Sequence, residues 1–330
     1  MPKLTNKQAI PLPIAIWAAT SNYDSYSHIP DYISVTTLMK PLRQLLLRDH
    51  PDVQTTYQPD VGDFIASALG SSLHDSIEKA WLTNYSEALE LLGFNPNHIA
   101  QIRNNPSKDE DLTGLIPVYT EKRSFKTMGK YTIGGKFDLV LNGQVQDYKS
   151  TSTYSYGKVD KYEEYILQGS LYRWLNPDII TSENMVINFI FKDWVKSKAM
   201  NSSDYPPAAS VEVVLPLKSY TATEDWIKRK LALIDQYTGV PESEIPYCTD
   251  AELWYSDPKF KYYANPEKTT GRSTRNFDTL LEANDFLASK GKGVIITDKG
   301  IPKRCGYCAV SSVCSQMKTL LTPEIEPDNV

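Results

Sequence analysis

The sequence predicts an α/β protein with a mixed sheet, from three changes of apolar period. Phe64, Ile65, Leu69, Leu73, Ile77, Trp81 and Leu82 recur at helical three- and four-residue steps. Between Leu115 and Ser150 the step becomes two, the period of half-buried strands, and from Asp160 to Leu175 it is helical again, with further strands beyond. Helices and strands interleaved in this way imply a sheet covered by helices.

A first helix is expected over about 36–48, with Leu38, Leu42, Leu45 and Leu46 on one side. The long helical region 60–92 ends at Gly93, where a left-handed residue is favoured, and 95–112 reads as a polar loop. Strands are expected near 116–126, 131–141 and 144–149, the last two joined by Asn142-Gly143, a dipeptide suited to a tight hairpin. Further strands fall at 185–192 and 210–216, and a helix over 223–237 is announced by Thr221-x-x-Glu224. Beyond Pro241, turn residues, Tyr and Lys take over. A soft boundary near 240 therefore separates a domain of residues 1–240 from a C-terminal module of 241–330. In that module Thr279-x-x-Glu282 opens a short helix and 293–297 reads as a strand.

The 330 residues are 41% hydrophobic and 23% charged with a net charge of -5, which describes a folded soluble chain rather than a disordered or fibrous one. Apolar stretches such as 186–191 and 213–217 are far shorter than a membrane span. With no secretory signal evident, the expected place is the cytoplasm, that of the host if the chain is phage-encoded, with no membrane partner. Segment 259–304 carries ten Lys/Arg against five Asp/Glu, the best candidate for a basic surface.

Chemistry concentrates in the hairpin strand. Asp147 and Lys149 share one face of it, a carboxylate beside an ammonium. Hairpin pairing can bring Asp138 towards Asp147, and two adjacent carboxylates call for a cation, with Mg²⁺ or Mn²⁺ suited to hard oxygen ligands. His74 and Glu78 lie one turn apart on the long helix; the imidazole can complete a Mn²⁺ site, while Glu78 is assigned to helix stability or a water-bridged role. Gln168 and Tyr172 share a helix face and offer an amide and a phenol. Taken singly, His74 reads as a core histidine, Asp138 and Lys149 as hairpin surface charges, and Gln168 and Tyr172 as a packing face. Short patterns recur by chance, as Gly157-x2-Asp160 and Asp257-x-Lys259 show. Order along the chain gives the set its weight.

That order, Gly70-x3-His74, Gly135-x2-Asp138, Asp147-x-Lys149, Gln168-x3-Tyr172, resembles the RecB-type branch of the PD-(D/E)XK nucleases, which includes the AddB nuclease domain and the CRISPR adaptation nucleases. The resemblance covers about 30–195. It implies a restriction-endonuclease-like core, a central mixed β-sheet flanked by helices. It also implies metal ligation by His74, Asp138, Asp147 and the backbone carbonyl of Tyr148, Lys149 at the attacking water, and Gln168 and Tyr172 near DNA. Glu121, on the strand before Asp138, is left outside the ligand set.

All four cysteines lie late in the chain: Cys248, then Cys305, Cys308 and Cys314 spaced Cys-x2-Cys-x5-Cys. Four thiolates can hold one metal centre. The last three resemble the iron–sulfur staple of AddB-type and CRISPR-associated nucleases. Those relatives take their first cysteine before the histidine motif, where this chain reads Ser34-Val-Thr-Thr-Leu38-Met-Lys40-Pro41-Leu-Arg43. The context of Cys248 instead resembles a bacteriophage variant whose fourth ligand comes from the C-terminal insertion. A 4Fe–4S cluster and zinc both suit four thiolates.

The function expected is a metal-dependent deoxyribonuclease, an exonuclease or single-strand nuclease of recombination, repair or phage DNA processing, with DNA, single strands included, as partner and any recombination or replication protein partner unidentified. A non-catalytic DNA-binding subunit keeping the fold and the cysteine centre is the alternative. A metal-stapled interaction module without nucleic acid is the third reading.

Overall fold

The alternation that begins at Leu115 builds strands, yet it is cut twice where the sequence goes on alternating. In the computed structural model, which describes residues 4–20, 29–56 and 59–321, the chain divides into two units: Met1–Lys40 with Gln58–Leu233, and Pro41–Tyr57 with Ile234–Val330. Segment Pro41–Tyr57 thus groups with the C-terminal residues.

The first unit holds β1 (Tyr32–Ser34), β2 (Ile102–Asn104), β3 (Ile116–Thr120), β4 (Arg123–Met128), β5 (Tyr131–Lys136), β6 (Leu139–Leu141), β7 (Gln144–Thr151), β8 (Asn184–Phe191) and β9 (Ser210–Pro216). A six-stranded sheet runs β2-β3-β6-β7-β8-β9 and a three-stranded one β1-β5-β4. The larger sheet is mixed: β2–β3 and β7–β8 pair parallel, and β3–β6, β6–β7 and β8–β9 antiparallel. The expected class, an α/β core with a central mixed sheet flanked by helices, is what the structure shows.

The two cuts are coupled. Glu121 takes a positive φ of 47°, which turns the chain out of β3, and its N–H donates to the Asp138 carbonyl at 2.8 Å. Each expected strand, 116–126 and 131–141, is thereby split. The halves β3 and β6 stay in the large sheet while β4 and β5 pair with each other from Arg123↔Lys136 to Met128↔Tyr131. Gly135 belongs to β5 because a Cβ there would stand 2.8 Å from Val35 and 3.0 Å from Tyr172 and Leu175, so only glycine lets the helix Val159–Leu175 approach. At the hairpin, Asn142 and Gly143 have φ of 48° and 80°, the pair of positive values a two-residue turn demands, and β6 and β7 pair as Leu141↔Gln144.

The expected helix 36–48 is cut by Pro41 into Val35–Leu38 and Leu42–Leu47; proline disfavours helical geometry in the residue before it and supplies no N–H. The region 60–92 starts as a short turn at Val61–Phe64 under an Asp60 capping box and continues as Ile65–Thr83. It breaks at Asn84 and resumes as Tyr85–Leu91. The expected loop 95–112 contains the helix Pro96–Gln101 and β2. The later helix spans Tyr220–Tyr237, so Thr221 lies inside it, and the capping hydroxyl is that of Ser219, which accepts from the Ala222 N–H.

Val145, Leu171, Trp174, Ile187 and Phe189 are fully buried between the sheet and the helix Val159–Leu175. Elsewhere Val118, Leu139 and Tyr148 of the sheet pack with Trp81 of Ile65–Thr83. The second unit contains β10 (Lys259–Tyr263), β11 (Arg275–Phe277) and β12 (Val294–Asp298) in the order β11-β10-β12, all antiparallel. Its helix Leu280–Lys290 begins under Thr279, whose hydroxyl accepts from the Glu282 N–H at 3.2 Å, and Tyr262, Phe277 and Ala283 form the core between them. A separate core joins Leu47 and Val53 to Ile245, Val310 and Cys314. Among the described residues no helix is long and apolar enough to cross a membrane.

Gly143 carries the hairpin that delivers Asp147 to its place. A Cβ there would collide with the Thr181 hydroxyl, at a φ that L-residues rarely adopt. Gly143→Ala should therefore lose about 1–3 kcal/mol of stability. Urea unfolding followed by circular dichroism measures this, and an unshifted midpoint would contradict the turn geometry.

Candidate functional site

Beyond the pair Leu139↔Gln146, β6 and β7 part. The next residues in register, Asp138 and Asp147, face each other across the opening, while Tyr148 has lost its β6 partner. Asp138 takes the vacated place: its Oδ2 accepts the Tyr148 N–H at 2.9 Å. In an extended strand the N–H and C=O of one residue leave on the same side, so the Tyr148 carbonyl is directed to the same opening.

The second Asp138 oxygen, Oδ1, lies 3.2 Å from His74 Nδ1. His74 is delivered by the helix Ile65–Thr83, and its ring stands edge-on to Tyr148 with centroids 5.7 Å apart. The left-handed turn brings Glu121 to the same place, its Oε1 4.0 Å from His74 Nδ1 and its Oε2 2.5 Å from Lys136 Nζ. Ligand atoms of His74, Glu121 and Asp138 all lie within 4.8 Å of one another, and among the described residues this is the one such group. Sequence reasoning left Glu121 out. The signal that could have included it is a carboxylate at the end of a strand adjacent to Asp138, but nothing in composition announces a glutamate at positive φ. Glu78, though on the same helix as His74, is not in the group, and Gly70 meets nothing where a Cβ would be.

Asp147 lies on the other side of the opening. It is 3% exposed, and its Oδ2 is 2.6 Å from Lys149 Nζ. The contact is close but not directed as a hydrogen bond, which leaves this buried oxygen with an uncommitted lone pair. Lys149 Nζ also donates to Gln168 Oε1 at 3.4 Å and lies 5.2 Å from the centre of the Tyr165 ring. Gln168 Nε2 in turn donates to the Tyr172 hydroxyl at 2.9 Å. Tyr172, expected near DNA, is only 5% exposed and packs beside Gly135. Its hydroxyl accepts from Gln168, so Tyr172, Gln168 and Lys149 form one chain of hydrogen bonds, with Gln168 half-buried.

The electrostatics follow from crowding. Burial, with the negative charge of Asp138 added, pushes the Asp147 carboxyl up to about 6 against the pull of Lys149. Burial also raises Glu121, opposed by Lys136. His74 is raised chiefly by its hydrogen bond to Asp138, which outweighs its own burial, and further by the charges of Asp138, Glu121 and Asp147. Burial works to lower Lys149, but the Asp147 carboxylate and the charge of Asp138 outweigh it and hold the ammonium protonated. The donor set of imidazole and carboxylates, with a free lone pair on buried Asp147, fits a divalent cation of the Mg²⁺ or Mn²⁺ kind.

The four cysteines form no disulfide and lie in the second unit. Burial pushes Cys248 up to about 11, and it senses Cys314 and Cys308 electrostatically. Cys305, also raised by burial, senses the same two, so the four share one neighbourhood. Gln316 clamps Cys248 through both backbone groups, accepting from its N–H and donating to its C=O, each at 2.8 Å. Arg43, 1% exposed, donates its Nε–H to Cys314 Sγ at 3.2 Å, Nη1 to the Ile245 carbonyl at 2.6 Å and Nη2 to the Ser315 hydroxyl at 2.9 Å, and pairs with Glu242. A fixed cation beside sulfur fits a thiolate centre. Among the described residues no three of the sulfurs come within 4.8 Å of one another.

No protein-family model and no curated protein sequence matches the chain. Among solved structures, it is similar to SSO0001 at 16% identity and a TM-score of 0.37, over 72% of this chain and 90% of that one. It is also similar to a phage-related exonuclease from Haemophilus somnus 129PT, at 13% identity and a TM-score of 0.28, over 63% and 93% of the two chains. A Eubacterium rectale protein described as a candidate exonuclease matches at 10% identity and a TM-score of 0.28, over 66% and 84%.

His74 and Asp147 both take up protons more readily folded than unfolded, so their contribution to the metal-free fold is full at low pH and is lost as pH rises through their folded values. A bound cation needs both deprotonated. Mn²⁺ should therefore raise the thermal midpoint little near pH 5.5 and substantially near pH 8, measured by scanning calorimetry. A midpoint shift that is flat with pH would count against these ligands.

Proposed function

We propose that the protein is a metal-dependent deoxyribonuclease that hydrolyses phosphodiester bonds, acting as an exonuclease in recombination, repair or phage DNA processing. The observation that carries this reading is the fork between β6 and β7, where His74, Glu121 and Asp138 meet with Asp147 and Lys149 across the opening. The grouping supports reading the fork as a PD-(D/E)XK site of the RecB type on a restriction-endonuclease-like sheet.

His74, Glu121, Asp138, Asp147 and the Tyr148 carbonyl would hold Mg²⁺ or Mn²⁺. A bound ion of that kind supplies Lewis acidity at a phosphoryl oxygen and a lowered pKa for water. The chain's own residues set the stage. Lys149 keeps its proton, and its ammonium, fixed by Gln168, can orient a water and meet negative charge developing on a phosphorane. Asp138 fixes the imidazole of His74 and the backbone of Tyr148 at once. The non-catalytic alternative is disfavoured by the intact Asp138, Asp147 and Lys149.

The cysteines Cys248, Cys305, Cys308 and Cys314 would hold a 4Fe–4S cluster in this reading, with zinc the alternative that four thiolates also suit.

Incubating the protein with end-labelled single- and double-stranded DNA in Mg²⁺, Mn²⁺ or EDTA tests the activity. Cleavage is expected with either metal and not with EDTA. Asp147→Ala and Lys149→Ala should each cut the rate about 100- to 1,000-fold with an unchanged circular dichroism spectrum. Full activity in either variant would remove the assignment. Cys308→Ser should lower the thermal midpoint and lose metal, while the wild type purified without oxygen should contain iron and absorb broadly near 400 nm. Stoichiometric zinc in a colourless protein would decide for the single ion.

A further inference from the structure

We propose that Trp254, Arg304 and Tyr307 form a base-stacking ledge for single-stranded DNA on the second unit, an inference that rests on the nuclease reading. The short helix Asp250–Leu253 stops at Trp254, which takes φ 51° and ψ 46°. A left-handed backbone is rare for a bulky aromatic residue and marks positions with a task beyond packing. Here it leaves the indole 45% exposed, with the Arg304 guanidinium carbon 4.1 Å from a ring centre. The two strands of chain that meet there are tied together. Ser256 N–H donates to the Ile301 carbonyl at 3.1 Å, Ile301 N–H donates to Ser256 Oγ at 3.0 Å, and Tyr255 bridges to Pro302. Gly300 lets them approach, since a Cβ there would strike the Ser256 carbonyl.

Arg304 begins a line of planar groups. Lys303–Tyr307 is a 3₁₀ turn, in which residues three apart eclipse, so Arg304 and Tyr307 occupy the same edge about 6 Å apart along the axis. Tyr307 is 87% exposed, an aromatic ring with almost no packing role. Arg304 and Tyr307 thus leave one edge of the turn, Arg304 over the Trp254 indole, with Lys303 exposed beside them in the chain. Elsewhere in the basic segment lysines sit against carboxylates, Lys259 on Asp278 and Lys261 on Asp298.

Exposed rings alternating with cations suit a strand that offers unpaired π-faces and phosphates together. In a duplex the bases are already stacked on one another, and an apolar protein surface has no use for the cations. Stacking of this kind is tolerant of sequence, in keeping with a nuclease that digests whatever strand it meets.

The test uses the full chain carrying Asp147→Ala, so that DNA is not cut, and fluorescence anisotropy with two labelled strands of equal length, oligothymidine and its abasic analogue. The parent should prefer oligothymidine. Tyr307→Ala and Trp254→Ala should each weaken oligothymidine binding about 5- to 100-fold and leave the abasic strand unaffected, and Tyr307→Trp should retain the parent's affinity. Lys303→Gln should weaken both strands. Tyr307 is exposed enough to be replaced without touching the core, so a folding defect in Trp254→Ala would not spoil the result. Unchanged oligothymidine affinity in Tyr307→Ala, or equal losses on both strands, would overturn the ledge alone. A parent that binds neither strand would overturn the nuclease reading with it.

Discussion

The site depends on a single part-buried backbone group. Where β6 and β7 separate, the N–H of Tyr148 loses its strand partner, and a buried donor left unsatisfied is costly. Asp138 satisfies it with one carboxylate oxygen and holds His74 with the other. The same bond that repairs the sheet therefore fixes a negative charge at the opening. Glu121 and Asp147 crowd towards that charge from opposite sides, and Lys136 and Lys149 each balance one of them. Three carboxylates against two ammoniums and an imidazole is an arrangement that a divalent cation would relax.

Position is controlled on both sides of the fork. Lys149 is held through Gln168 by a tyrosine whose ring is wedged beside a glycine, so its ammonium is set by core packing and not by the solvent-side chain alone. In the second unit the equivalent control comes from Arg43, whose guanidinium reaches Cys314, Ile245, Ser315 and Glu242 together. Gln168 fixes the Lys149 ammonium, and Arg43 fixes the Cys314 sulfur.

The strands β7, β8 and β9 and the helix Val159–Leu175 were legible because their apolar periods run unbroken. So was the hairpin, from Asn142-Gly143. The split of 116–126 and 131–141 was not, because alternation persists through the turn and Glu121 belongs to no turn-forming class. Pro41 did announce the break in the first helix, and the leucine spacing on either side of it concealed the message. The order of His74, Asp138, Asp147 and Lys149 was readable, but which of the carboxylates converge on His74 depends on a backbone reversal that only the folded chain displays. Arg43 was invisible for a plainer reason: one charge in a leucine run reads as the wet side of a helix, whereas here it is almost wholly enclosed.

Arg43 and Cys314 are 271 positions apart in the chain. At synthesis rates of about 5–20 residues per second, the guanidinium emerges on the order of 15 to 50 seconds before the sulfur that receives it. During that interval segment 41–57 has neither its hydrogen-bond acceptors nor the apolar partners of Leu47 and Val53. A nascent chain thus displays an unsheltered leucine-rich patch until its last cysteine is made. Completion of the second unit is, in effect, a report that translation has passed the fourth cysteine.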